Sequence, residues 1–157
     1  MPATNYAAPL KTALLYFGRT CSVFKEEDSG FAPTPGQFTL AQHVAHVAQT
    51  VDWFVEGAFR PEGFDMDFAL QHAKVREFTS FQSAMADLAR AVDAAAAVLE
   101  SKSDEEMLAP LADGPIMGGQ PRAAIIAAIS EHTAHHRGSL AVYGRLLGYA
   151  PPMPYEG

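Results

Sequence analysis

The sequence predicts an all-α protein, an antiparallel four-helix bundle with a long loop before its last helix. Apolar residues recur at steps of three and four along four segments, which places them on one face of each helix. We find no segment with the alternating apolar and polar pattern of a strand. With 157 residues, of which 48% are hydrophobic, the chain suits one domain around one core, and we expect the bundle to span 1–157.

The first two long helices are predicted at 10–25 and 39–59. Gly30 and the following prolines end the first apolar pattern. The second helix opens with Thr39 and, three residues later, Gln42, which is the spacing of a capping box. The connection after it is poorly patterned, and we predict a short helix there at 68–74.

The last two long helices are predicted at 80–101 and 121–147. Thr79 and Gln82 repeat the capping-box spacing before the third helix. Residues 102–120 are rich in proline and glycine, so we expect a long loop with a short hairpin, and a loop of this length is often functional. Pro121 suits the first turn of the last helix, and Gly148 suits its C-terminal cap.

Composition excludes several classes of protein. The net charge is −7, whereas a nucleic-acid-binding protein needs a basic face. No apolar run approaches the roughly 18 residues of a membrane span, and the first residues show no signal-peptide pattern. A single cysteine, Cys21, excludes an internal disulfide and the multi-cysteine zinc patterns. We therefore expect a cytoplasmic protein with neither a nucleic acid nor a membrane as partner.

Two histidines interrupt the apolar face of the last helix. His132 and His136 are four residues apart, one helical turn, which is the spacing with which a helix offers two imidazoles to one metal ion. Burying both rings is unfavourable unless their nitrogens find partners, and a metal satisfies one nitrogen of each. The alternative is that each ring is hydrogen-bonded within the core. His135 lies toward the flank of the same helix.

A third ligand is expected because two seldom make a metal site. The second helix offers His43 and His46. A helical wheel places His43 nearer the apolar centre and therefore favours it, although its position also suits packing on Phe38 as a hydrophobic staple. His46 would then be an ordinary half-exposed residue. We expect His72 to face solvent.

Three segments together resemble the DinB/YfiT-like family of metalloenzymes. They are FTLAQHVAHVA at 38–48 followed by Trp53, HTAHHRGSL at 132–140, and YGRLLG at 143–148 followed by two prolines. Ser139 stands where the family commonly has glutamine, and Phe38 where it commonly has tryptophan. The resemblance implies that the metal ligands are His46, His132 and His136, which overrides the preference for His43.

Three neutral histidines without a carboxylate suit zinc, nickel or another divalent ion that accepts imidazole. The resemblance implies an enzyme acting on a small molecule, either a hydrolase or a thiol-dependent transferase, and a homodimer. We place five further residues around the pocket, with Arg137 pairing with an anionic substrate group, and assign no catalytic residue. These five are His43, Trp53, His135, Arg137 and Tyr143.

Two other functions remain open from the sequence. The first is a non-catalytic binding or structural dimer, linked to stress or damage, in which a metal fixes the second helix against the fourth. The second has no metal, and its histidine cluster is a core that loosens when it is protonated.

Overall fold

A computed structural model describes residues 4–156 of the chain. Four long helices and two short ones account for most of it, and the predicted four-helix bundle and short third helix are confirmed. Between 4 and 156 the backbone forms one isolated β-bridge, Pro110 with Pro121, and no longer strand. The helices are α1 (Ala8–Cys21), α2 (Leu40–Phe59), α3 (Phe68–Arg76), α4 (Phe81–Glu100), α5 (Asp104–Leu108) and α6 (Ala124–Leu146), with a 3₁₀ turn at Glu26–Asp28.

The four long helices form a ring in the order α1, α4, α2, α6. Helices α1 and α4 are antiparallel, since Lys11 near the start of one pairs with Glu100 at the end of the other. Helices α2 and α6 are antiparallel too, since Arg122 Nε donates to the carbonyl of Ala58. Helix α3 returns along α2, so α4 begins beside the start of α2 and runs parallel to it. Two neighbouring pairs are therefore antiparallel, and the other two, α2 with α4 and α1 with α6, are parallel.

Ser29 holds the starts of α2 and α4 together. Its hydroxyl accepts from the backbone N–H of Phe81 at 2.8 Å, and its carbonyl accepts from the N–H of Ala41 at 3.1 Å. The apolar faces of the four long helices meet inside the ring. Their fully buried side chains include Leu10, Phe17, Leu40, Val44, Val51, Leu88, Leu99, Ile125 and Leu140.

Helices α1 and α4 differ from the prediction at their ends. Helix α1 ends at Cys21 rather than at 25, because the backbone N–H of Lys25 donates to the carboxylate of Asp28 at the 3₁₀ turn. The capping box predicted from Thr79 and Gln82 is wrong. Ser80 is the cap, and the N–H of Gln82 donates instead to Glu26.

The connection between α4 and α6 is more ordered than predicted. It contains α5, which begins with a capping box formed by Ser103 and Glu106 that the sequence analysis missed. Helix α6 begins three residues after Pro121, because the backbone N–H groups of Arg122 and Ala123 donate to carbonyls on the other side of the β-bridge. Gly148 follows the end of α6 with a φ of 84°, as expected of a C-terminal cap.

Within the described chain, none of the helices combines the length and the apolar character that crossing a membrane requires.

Candidate metal centre

The candidate site lies between the first turns of α2 and the middle of α6. The predicted capping box is present: the Thr39 hydroxyl accepts from the N–H of Gln42, and the Gln42 side chain accepts from the N–H of Thr39. Starting the helix there places His43 and His46 in its first two turns. Because α2 and α6 are antiparallel, these turns face the part of α6 that carries His132 and His136.

Three histidines, two from α6 and one from α2, converge at this point. One ring nitrogen from each of His46, His132 and His136 lies within 4.8 Å of the other two. The Nε2 atoms of His132 and His136 are 3.0 Å apart. Two imidazole nitrogens on one tetrahedral zinc ion are separated by about 3.3 Å, given bonds of 2.0–2.1 Å. The spacing of the rings therefore suits a shared divalent ion.

The donor set also fits such an ion. Nδ1 of His46 is buried and has no hydrogen-bond partner within residues 4–156, so one ring nitrogen of this candidate ligand lacks the polar contact that burial demands. The group is made of imidazoles alone, and its three side chains are half-buried. Such a set favours zinc, nickel or a similar ion over calcium or magnesium, which prefer oxygen ligands.

Burial keeps these rings neutral. It lowers the pKa of His43, His46 and His132 from 6.5 to about 4, and the neighbouring imidazoles add to this effect. For His136, burial first and then the charges of four surrounding histidines lower the pKa to about 2. Neutral imidazole is the form that binds a metal, so the cluster is ready to coordinate one at neutral pH.

His43 lies behind the cluster rather than within it. It is only 7% exposed, and its Nε2 is 2.7 Å from Nδ1 of His136. When His136 offers Nε2 to a metal, its Nδ1 carries the proton and donates to His43. A contact of this kind fixes the tautomer and the orientation of a ligating ring. The helical wheel correctly places His43 on the buried face of α2. The His43 ring, however, contacts Nδ1 of His136, whereas Nε2 of His136 is the atom near His132.

A cavity of about 300 Å³ adjoins His43 and His136. Tyr143 lines it, two turns beyond His136 on α6, and its hydroxyl donates to the carbonyl of Phe38 at 2.8 Å. His72 and Arg76 of α3 also line the cavity. His72 is exposed as expected, but its ring centroid is 6.1 Å from that of His46, so it stands at the edge of the site. The sequence alone places neither α3 residue at the site, although their four-residue spacing on a short helix gives them a common face.

The other residues predicted around the pocket are divided between this site and other parts of the surface. His135 is exposed, with its ring centroid 4.9 Å from that of His136. Trp53 lies two turns further along α2, and its Nε1 donates to the carbonyl of Asp65 beside a different cleft. Arg137 lies in the groove between α1 and α6, against the rings of Tyr16 and Tyr155. The structure therefore separates Trp53 and Arg137 from the histidine cluster.

Comparison with known proteins places the chain in a family. The sequence profile of the DinB superfamily matches residues 17–140. The chain belongs to the DinB superfamily. Its fold is similar to a DinB-like protein from Bacillus cereus, with a TM-score of 0.73 and 17% identity over 94% of this chain and 93% of the other.

Two further solved structures share the fold of this DinB-superfamily chain. YfiT from Bacillus subtilis, described as a probable metal-dependent hydrolase with an unusual four-helix bundle topology, has a TM-score of 0.69 and 15% identity, over 92% of this chain and 87% of its own. A mycothiol-dependent maleylpyruvate isomerase has a TM-score of 0.64 and 14% identity, over 89% of this chain and 61% of its own. No curated protein matches the chain.

Proposed function

We propose that His46, His132 and His136 bind one divalent metal ion, zinc or nickel, and that the protein is a metal-dependent enzyme acting on a small molecule. The observation that carries this proposal is the convergence of three ring nitrogens within 4.8 Å, on two different helices, with one of the three rings, His136, lining a cavity. Three protein ligands leave one position of a tetrahedral ion free, which is the arrangement of catalytic rather than structural sites.

The chain's own residues hold and orient the site. His132 and His136 present their Nε2 atoms to the same point, and His43 fixes the tautomer of His136. Tyr143 and Phe38 wall the cavity that would receive the substrate. A divalent ion bound here would supply either a water of lowered pKa for hydrolysis or a position for a substrate thiolate.

Two relatives support these two reactions. YfiT is described as a probable metal-dependent hydrolase, and the isomerase is described as mycothiol-dependent. We therefore propose a hydrolase or a thiol-dependent transferase, working in the cytoplasm.

Cobalt substitution tests the proposal. Apoprotein titrated with Co²⁺ should give the intense visible absorption of a tetrahedral ion, saturating near one ion per chain. Adding a small thiol or azide should then change the spectrum, because the fourth position is exchangeable. The His132→Ala variant should show neither signal, whereas the exposed His135→Ala variant should show both. Full Co²⁺ binding by His132→Ala, or a spectrum that no added ligand changes, would contradict the enzyme proposal.

A metal-stabilised dimer without catalysis is the second candidate. The cluster joins α2 to α6, so a bound ion would tie the two helices together. Several large apolar side chains are exposed on α1, α6 and the C-terminal segment, and we propose that they form a homodimer interface. These residues are Leu15, Val142, Leu146, Met153 and Tyr155. This second candidate predicts a melting temperature that rises strongly with metal and a metal spectrum insensitive to added ligands. Sedimentation of the wild-type protein as a monomer would contradict the dimer.

A further inference from the structure

The cavity beside the histidine cluster has a charge opposite to that of the chain as a whole. The protein has 18 acidic and 11 Lys and Arg residues, a net charge of −7. Among the described residues, however, none that lines this cavity is acidic, and its charged group is the guanidinium of Arg76. The other polar side chains there are imidazoles, the Tyr143 hydroxyl and the Gln37 amide. An anionic molecule would therefore meet no repelling carboxylate in the cavity wall.

Arg76 is positioned by α3 and has donors to spare. Its guanidinium lies over the Phe38 ring, 5.1 Å from the centroid, and one Nη2–H donates over a long 3.4 Å to the carbonyl of Gly36. A guanidinium has five N–H donors in a planar fork. Within residues 4–156 Arg76 forms no ion pair, unlike Arg90, which binds Asp52 and Asp87. Its remaining donors are therefore available to a ligand in the cavity.

The sequence alone had placed Arg137 in this role, but that side chain lies in the α1–α6 groove. Arg76 is the arginine that shares a cavity with His43 and His136. Arginine differs from lysine here because its fork matches a carboxylate or phosphate with two parallel hydrogen bonds.

We infer that Arg76 is a specificity-determining residue that selects small substrates carrying a carboxylate a short distance from the group held at the histidine cluster. This inference rests on the proposed metal site, because the cluster supplies the second point of attachment. Substrate would be held at two points, the anionic group on Arg76 and the reacting group beside His136. The cavity volume of about 300 Å³ limits the substrate to a small metabolite.

Matched thiol probes test the inference on Co²⁺-loaded protein. Each ω-mercaptocarboxylate of two to five carbons is compared with its neutral amide, and binding is followed through the thiolate-to-cobalt absorption band. We expect the best carboxylate to bind about 5- to 20-fold more tightly than its amide in wild type, a range that allows for the partial solvation of Arg76. This preference should vanish in Arg76→Gln and persist in part in Arg76→Lys, which keeps the charge but loses the fork.

Lys74→Gln is the matched control, since it removes one positive charge from the same helix, at a residue that lines a different cleft. It should keep the full preference. Equal binding of acid and amide at every length in wild type, or equal losses in Arg76→Gln and Lys74→Gln, would overturn the role of Arg76 while leaving the metal site intact. Failure of wild type to bind Co²⁺ would overturn the proposed metal site, and this inference with it.

Discussion

Replacing His43 with alanine should weaken metal binding although His43 is outside the cluster. The 2.7 Å contact between His43 Nε2 and His136 Nδ1 is the feature that holds the His136 ring with Nε2 toward the other two histidines. Removing a partner of a ligating histidine typically lowers metal affinity 10- to 100-fold, or about 1.4–2.7 kcal/mol. We expect a loss in this range, because His43 is buried and water cannot readily replace its ring nitrogen.

The assay is competition for Zn²⁺ against a chromophoric chelator at pH 7.5, with each variant first checked for folding by circular dichroism. His43→Gln should recover part of the affinity, because its side-chain oxygen can accept the proton of His136 Nδ1. His72→Ala is the control, since this exposed ring approaches His46 without a hydrogen bond to the cluster among the described residues. Folded His43→Ala protein with wild-type affinity would refute the reasoning, and so would a His43→Gln variant as weak as the alanine one.

Three further predictions concern stability. In metal-free protein the pKa of His43, His46 and His132 is lowered to about 4 in the folded state. In the unfolded chain their pKa is near 6.5, so as the pH falls the unfolded chain takes up protons before the folded protein does. The free energy of unfolding should therefore not depend on these rings above pH 6.5. Below that pH it should fall, by roughly 2 kcal/mol at pH 5.5 after allowing for partial solvation. Urea unfolding at pH 7.5 and 5.5 measures the difference, and equal free energies of unfolding would contradict the prediction. A Cβ added at Gly57 would overlap the Phe64 ring, so Gly57→Ala should lower the free energy of unfolding by about 1–3 kcal/mol. Gly18→Ala, where nothing lies within 4 Å of the added Cβ, should be neutral or stabilising. Equal free energies of unfolding for the two variants would argue against the overlap. Thr39→Ala should lower the free energy of unfolding by about 1 kcal/mol because it removes the α2 cap, and Thr39→Ser should keep the wild-type stability. Thermal denaturation measures both variants. An unchanged melting temperature for the alanine variant would show that the cap is not needed.

The sequence predicts the interior of each long helix better than its ends. Most of the apolar residues of α2 and α4 are buried, because a strong period of 3.6 gives each helix one face that can pack. The ends depend on contacts from elsewhere in the chain. Ser80 rather than Thr79 caps α4 because Glu26, distant in sequence, binds the N–H of Gln82. No local pattern contains that contact.

The candidate site is predictable within one helix but not across two. The pairing of His132 with His136 follows from helical spacing alone. The choice between His43 and His46 does not, because a wheel reports which residue is buried and not which ring nitrogen faces α6. His43 is the more buried of the two and contacts Nδ1 of His136, whereas the half-buried His46 belongs to the cluster. The return of α3, which brings Arg76 to the cavity, depends on the three-dimensional path of the chain.

Metal content is the most direct test of the central claim. Protein purified without an affinity tag or chelator should contain about one divalent ion per chain by elemental analysis. The ion should be lost in His46→Ala, His132→Ala and His136→Ala, and retained in His135→Ala. Full metal content in His132→Ala would contradict the three-histidine site. So would wild-type protein that contains no metal and takes up none on titration with Zn²⁺, Ni²⁺ or Co²⁺.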